Sequence, residues 1–173
     1  MLRSDERSVQ SCQNTLLYTL IAFVCLVFAS SLQFAAAGAF GTKPEAVAMV
    51  ARVQAMFAKS GPAATFAAIN DRSNREFHDR DLYPFVYDLQ GVNVAHGARP
   101  VLVGKNLISL KDQDGNYVIQ RIIAIAESPG HGWVNYKWPN PITNRIEDKI
   151  SYIEKMGDYV VGVGVKNTGA PLR

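Results

Sequence analysis

Residues 82–96 read LYPFVYDLQGVNVAH. Tyr83, Phe85 and Tyr87 recur at every second position, with Leu82, Pro84 and Val86 between them, which is the signature of a β-strand. Asp88-Leu89-Gln90-Gly91 then reads as a hairpin turn, and Val92, Val94 and His96 alternate on the return strand. Two later stretches answer this pair, GWVNYKWPNP (132–141) and DKISYIEKMGDYVVGVGV (148–165). They read as three more strands, Gly132–Trp138, Asp148–Lys155 and Asp158–Val165, turned at 140–144 and 156–158.

Upstream, Lys43–Lys59 carries Val47, Val50 and Val53, then Met56 and Phe57, at helical spacing, with Pro44 near its start and Gly61 after its end. A short second helix is expected at Pro62–Ile69, with proline in its first turn. The polar run 70–81 reads as a loop, as do residues 97–116. Tyr117–Glu127, YVIQRIIAIAE, reads as an apolar helix stopped by Ser128-Pro129-Gly130. The order is two helices, two strands, one helix and three strands. Strands joined by short turns pair antiparallel, so the expected class is α+β. A five-stranded antiparallel sheet would carry the long N-terminal helix on one face. The helix and loop between strands two and three would cover a pocket on the other.

Composition narrows the function. The chain has 173 residues, 48% hydrophobic and 19% charged, with a formal net charge of +3. That is a globular balance. Arg3 and Arg7 cancel Asp5 and Glu6, so the mild positive excess belongs to the remainder, which has no basic run. Nucleic-acid binding, which uses a clustered basic face, is therefore not expected. Both cysteines, Cys12 and Cys25, lie in or just before the apolar run 16–39, so the folded part has no thiol chemistry. That run, LLYTLIAFVCLVFASSLQFAAAGA, follows a polar head with two arginines and ends in small residues. Two readings stay open: a cleaved export signal, or a retained inner-membrane anchor. In both, residues from about 41 onward face the periplasm or exterior.

Several ordered motifs, FVYDLQGVNVAH, VGKNL (103–107), DQDGNYV (112–118), GWVNYKWPNP and KISYIEKMGDYVVGVGV, make residues 46–165 resemble the single Cache domain family. These are extracytoplasmic, PAS-like sensor domains of bacterial chemoreceptors and histidine kinases. The resemblance implies a long helix followed by a five-stranded sheet, and a pocket for small metabolites, often short carboxylates. It implies pairing through the long helix and a separate receptor or histidine kinase that reads the domain. The expected organisation is a signal or anchor at 1–39, one sensor domain at 41–166 and a tail at 167–173. Two departures stand out. The family usually has His-Pro where this chain has His96-Gly97, which points to a looser loop after strand two. The sequence also carries no transmitter, kinase or methyl-accepting region.

The expected ligand site follows from side-chain chemistry. Tyr83, Phe85, Tyr87, Tyr136 and Trp138 supply aromatic wall, the tyrosines and tryptophan with one polar handle each. Lys149 is the cation for a carboxylate, because a lysine turned into a half-buried site needs an acceptor. The alternative for it is a solvent-facing strand end. His96 can donate and accept near neutral pH, and Tyr152, on the strand of Lys149, completes the set. The aromatics also admit plain core packing. His78, His96 and His131 lack ligand spacing, so no metal or other cofactor is expected. Asp112-Gln113-Asp114-Gly115 resembles a calcium loop superficially but lacks its further oxygen positions, so it reads as a turn. The sequence has no nucleophile elbow, phosphate loop, zinc-protease motif or dinucleotide fingerprint. A binding function is expected rather than an enzyme. The alternatives are an accessory interaction protein with this fold and no working pocket, or an exported enzyme using His96 and Lys149. A filled cavity beneath the 97–127 cover would favour the accessory protein. An enzyme would need His96 and Lys149 within hydrogen-bond reach of each other.

Overall fold

The structure is a computed structural model and describes residues 38–169. The expected signal or anchor at 1–39 lies almost wholly outside the described residues. Among those described, no helix is long and apolar enough to cross a membrane.

Helix α1 spans Lys43–Asn70 and is broken at Gly61, where φ is +76°. Glycine takes that conformation without a Cβ clash, and Pro62 restarts the helix. The two expected helices are thus one element with a kink. Its first turn is closed by a capping box: Thr42 N donates to Glu45 Oε2 at 2.7 Å, and Glu45 N donates to Thr42 Oγ1 at 3.5 Å. Ala46, Met49, Val50, Val53 and Ile69 are its buried face.

Strand β1 is Pro84–Asp88 and β2 is Asn93–His96. Helix α2, Val118–Glu127, follows a 3-10 turn at Pro100–Leu102, and then come β3 (His131–Pro139), β4 (Ile146–Met156) and β5 (Tyr159–Lys166). They form one antiparallel sheet in the order β2-β1-β5-β4-β3. The β5–β1 pairing closes the sheet by joining residues far apart in sequence, with Phe85 opposite Gly162 and Pro84 opposite Val163.

Strand alternation divides the core into two layers. Beneath α1 lie Val86, Ala95, Ile150, Val161, Val163 and Val165. On the other face, Phe85, Tyr87, Val134, Tyr136, Ile153 and Val160 meet α2 through Val118, Ile119, Ile122, Ile123 and Ala126. Burying each α2 isoleucine contributes at most about 1.5–3 kcal/mol, enough to hold a ten-residue helix that would not persist alone. Asp112 anchors the preceding loop as an Asx turn. Its Oδ1 accepts from Asp114 N and Asn116 N, and its Oδ2 from Lys137 N. The calcium-like run is therefore a tether that fixes the cover to β3.

Candidate functional site

The α2-covered face of the sheet holds a small cavity. Its walls are Tyr83, Phe85, Tyr87 and His96 from the first hairpin, Tyr136 and Trp138 from β3, and Val118, Ile119 and Ile122 from α2. Six of the eight residues expected from sequence meet there. The free volume is about 10 Å³, the room of one water molecule.

Lys149 is buried, 5% exposed, but stands behind this wall rather than on it. Its Nζ donates to the Tyr83 hydroxyl at 3.2 Å and lies 4.2 Å from the Tyr83 ring centroid. Among the described residues no carboxylate forms an ion pair with it. Burial lowers its pKa to about 8, with the charges of Asp81 and then Glu147 acting in the opposite sense. The cation therefore meets the cavity through one phenol.

His96 stacks on Tyr83 with ring centroids 5.2 Å apart and is almost wholly buried. Its Nδ1 accepts from Ala98 N at 3.3 Å and from Arg99 N at 3.0 Å. The hydrogen-bond network thus assigns the proton to Nε2, an N–H donor on a ring that lines the cavity. Burial, reinforced by Lys149 and Arg99, depresses its pKa to about 3, so it stays neutral in ordinary buffers. Tyr136 shares a 2.6 Å hydrogen bond with Ser151. Burial pushes the hydroxyls of Tyr83, Tyr87 and Tyr136 well above the usual phenol range, so each remains a neutral donor or acceptor.

Tyr152 is a correction. It is half-buried against Trp133 at 5.4 Å, in the layer beneath α1. Three residues separate it from Lys149, and an odd separation on a strand turns a side chain to the opposite face. The loop after β2 is a second correction. Gly97 N donates to Pro84 O at 3.0 Å, and His78 Nε2 lies 3.0 Å from Gly97 O. A Cβ at Gly97 would stand 2.9 Å from both His78 Nε2 and Tyr83 Cβ. Glycine there makes the loop close, not loose, and His78 has a structural part that sequence reasoning did not assign.

The sequence reading also missed the floor. On β5 the cavity-side positions after Val160 are Gly162 and Gly164. A Cβ at Gly162 would stand 2.3 Å from Phe85 Cζ, and one at Gly164 would stand 2.3 Å from Lys149 Cε and 2.5 Å from Ser151 Oγ. The Phe85 ring and the Lys149 stem occupy the space those two glycines leave. Gly164→Ala is accordingly expected to lose about 1–3 kcal/mol of stability, the usual effect of overpacking. Lys149 would also be driven off Tyr83. Denaturant melts, with a crystal structure of the variant, check both.

Comparison with known proteins agrees with this geometry. A family model described as Cache domain matches residues 71–168. The sensor histidine kinase MctS of Rhizobium johnstonii is 40% identical over 90 residues, which cover 51% of this chain and 19% of that protein. The methyl-accepting chemotaxis protein McpP of Pseudomonas putida is 34% identical over 90 residues, covering 51% and 16%. The matched part thus spans less than a fifth of either relative. Among solved structures, a methyl-accepting chemotaxis protein from Vibrio parahaemolyticus superposes with a TM-score of 0.62 at 30% identity, over 72% of this chain and 87% of that one. A Cache chemosensory domain described for its carboxylic acid recognition superposes with a TM-score of 0.57 at 27% identity, over 71% and 86%.

Proposed function

The chain belongs to the Cache domain family, and from that premise we propose that residues 41–166 form an extracytoplasmic sensor for a short organic acid. Residues 1–39 would be its export signal or membrane anchor. The observation that carries the reading is Lys149, a buried cation whose hydrogen-bond partner is a neutral phenol at the cavity wall. A charge so placed is poorly compensated, and an incoming carboxylate would compensate it. The neutral Nε2–H of His96 and the Tyr136 hydroxyl offer further donors, and the aromatic rings wall a site sized for a small molecule. The carboxylic acid recognition described for a structural neighbour supports the same ligand class. The signal would pass to a histidine kinase or chemoreceptor, the classes to which the relatives belong, with α1 as the pairing surface. Binding rather than turnover fits the pair that an enzyme would need. Lys149 donates to Tyr83, and Nδ1 of His96 is taken up by backbone amides.

The small cavity favours a second reading, an accessory module that keeps the fold without a working pocket. At about 10 Å³, even acetate must displace the Tyr83 ring or lift α2 to enter. One experiment separates the two: thermal melting and calorimetry of the full chain with acetate, propionate and pyruvate, against amino acids and amines. A ligand at one hundred times its Kd is expected to add about 2.7 kcal/mol. Stabilisation by the carboxylates alone supports the sensor. A well-folded sample that none of these compounds stabilises supports the accessory module.

A further inference from the structure

Two loops meet beside the cavity wall, and one side chain joins them. His78, in the loop after α1, sets its Nδ1 2.9 Å from Asn74 O and its Nε2 3.0 Å from Gly97 O. The first contact stays within its own loop. The second crosses to the turn that follows β2. Phe77, fully buried in the layer beneath α1, anchors the backbone from which His78 projects. Gly97 itself lies between the His78 ring and Tyr83.

The turn so held acts on His96. Its next two amides, Ala98 N and Arg99 N, donate to Nδ1 of His96 at 3.3 and 3.0 Å. The backbone of His96 is pinned separately, its N donating to Asn70 Oδ1 at 2.9 Å. Which imidazole nitrogen carries the proton is set by the hydrogen bond that the other one makes. Backbone amides only donate, so a turn in this place keeps Nδ1 an acceptor and leaves the proton on Nε2.

We propose that His78 is a positioning residue of the ligand site: it holds the Gly97–Ala98 peptide group and so fixes the tautomer in which His96 presents Nε2–H to a ligand carboxylate. The Gly97 carbonyl and the Ala98 N–H belong to one planar trans peptide group and point to opposite sides of it. Two histidines therefore grip that group, His78 on its oxygen and His96 on its hydrogen. A rotation of the peptide loses both contacts at once. Carbonyl oxygens only accept, so the bond to Gly97 O uses the Nε2–H of His78. The effect on ligand affinity rests on the acidic-ligand reading of the site; the tautomer of His96 does not.

NMR of the nitrogen-labelled full chain, without ligand, tests it on two variants. The amide nitrogen of asparagine stands where Nδ1 was and that of glutamine where Nε2 was. His78→Asn thus keeps the contact to Asn74 and gives up Gly97, while His78→Gln still reaches Gly97. The unsubstituted protein and His78→Gln are expected to show His96 wholly as the Nε2–H tautomer. His78→Asn is expected to add a second signal, from Nδ1–H, and to speed amide exchange at Ala98 and Arg99 about fivefold, the worth of one hydrogen bond. A folded His78→Asn in which His96 stays wholly Nε2–H overturns the proposal and leaves His78 a packing residue. Should His78→Asn not fold, exchange at Ala98 and Arg99 in His78→Gln decides: protection kept upholds it, protection lost sinks it. Calorimetry with sodium acetate reads the consequence. Affinity is expected to fall at least about tenfold in His78→Asn, as for one hydrogen bond to a charged group, and to recover in His78→Gln. A changed tautomer with unchanged affinity overturns the claim that Nε2–H meets the ligand. If acetate binds none of the three proteins, the sensor reading loses its support, and the tautomer alone decides the part of His78.

Discussion

Lys149→Met is expected to abolish carboxylate binding and, in the same protein, to raise the melting temperature. Losing a buried, charged hydrogen-bond partner typically costs about 2–5 kcal/mol of binding, so affinity should fall at least about thirtyfold. Stability moves the other way. In the empty protein the ammonium is almost wholly buried and is held by a phenol and an aromatic face. Its pKa, near 8 instead of the ordinary 10.5, means that folding disfavours the charged form by something on the order of 3 kcal/mol. Methionine has nearly the same length and no charge to desolvate. Replacing buried charges by packed apolar side chains is often neutral or stabilising. Calorimetric titration with acetate and a thermal melt measure both effects on one sample. Binding that survives the substitution would falsify the assignment of Lys149 as the ligand's cation. A large fall in melting temperature would make its role structural.

Those opposed effects bear on what was legible in the chain. Period-two alternation exposed the first hairpin, turn residues marked off the three later strands, and Gly61-Pro62 exposed the break in α1. The same alternation brought Tyr83, Phe85 and Tyr87 to one side, and Tyr136 with Trp138, as the cavity requires. The β5–β1 pairing was not legible, since no turn joins those strands and their contact depends on the whole sheet closing. Tyr152 was misplaced although its odd spacing from Lys149 already spoke against it. Gly162 and Gly164 escaped for a different reason: what matters there is the side chain they lack. A pattern of apolar and polar residues registers glycine on a strand as weak propensity. In the fold, the two glycines make the room in which Phe85 and Lys149 lie. Asp81 escaped too, because it ends a charged loop and nothing local marks it as buried.

Raising the pH from about 7 to about 10 is expected to weaken ligand binding while stabilising the empty fold. Lys149 titrates near 8 when folded and near its ordinary 10.5 when unfolded. Between those values the unfolded chain binds the extra proton, so stability rises with pH across that window. A carboxylate needs the ammonium, so its affinity falls about tenfold per pH unit above about 8. Beyond about pH 10 the stability trend reverses. Tyr83, Tyr87 and Tyr136 hold their protons longer in the fold than in the unfolded chain, which then gains by ionising. On the acid side His96 governs. Its folded pKa near 3 lies below the ordinary 6.5, so the unfolded chain protonates first, and stability is lost as pH falls from about 6.5 towards 3. Proton uptake by His96 would also break its acceptance from Ala98 and Arg99. Melts at one-unit intervals, paired with acetate titrations, trace both curves. In Lys149→Met the alkaline rise should vanish while the acid limb remains, which separates the lysine's contribution from every other titrating group. An alkaline rise of unchanged size in that variant would show that Lys149 carries no buried charge to relieve.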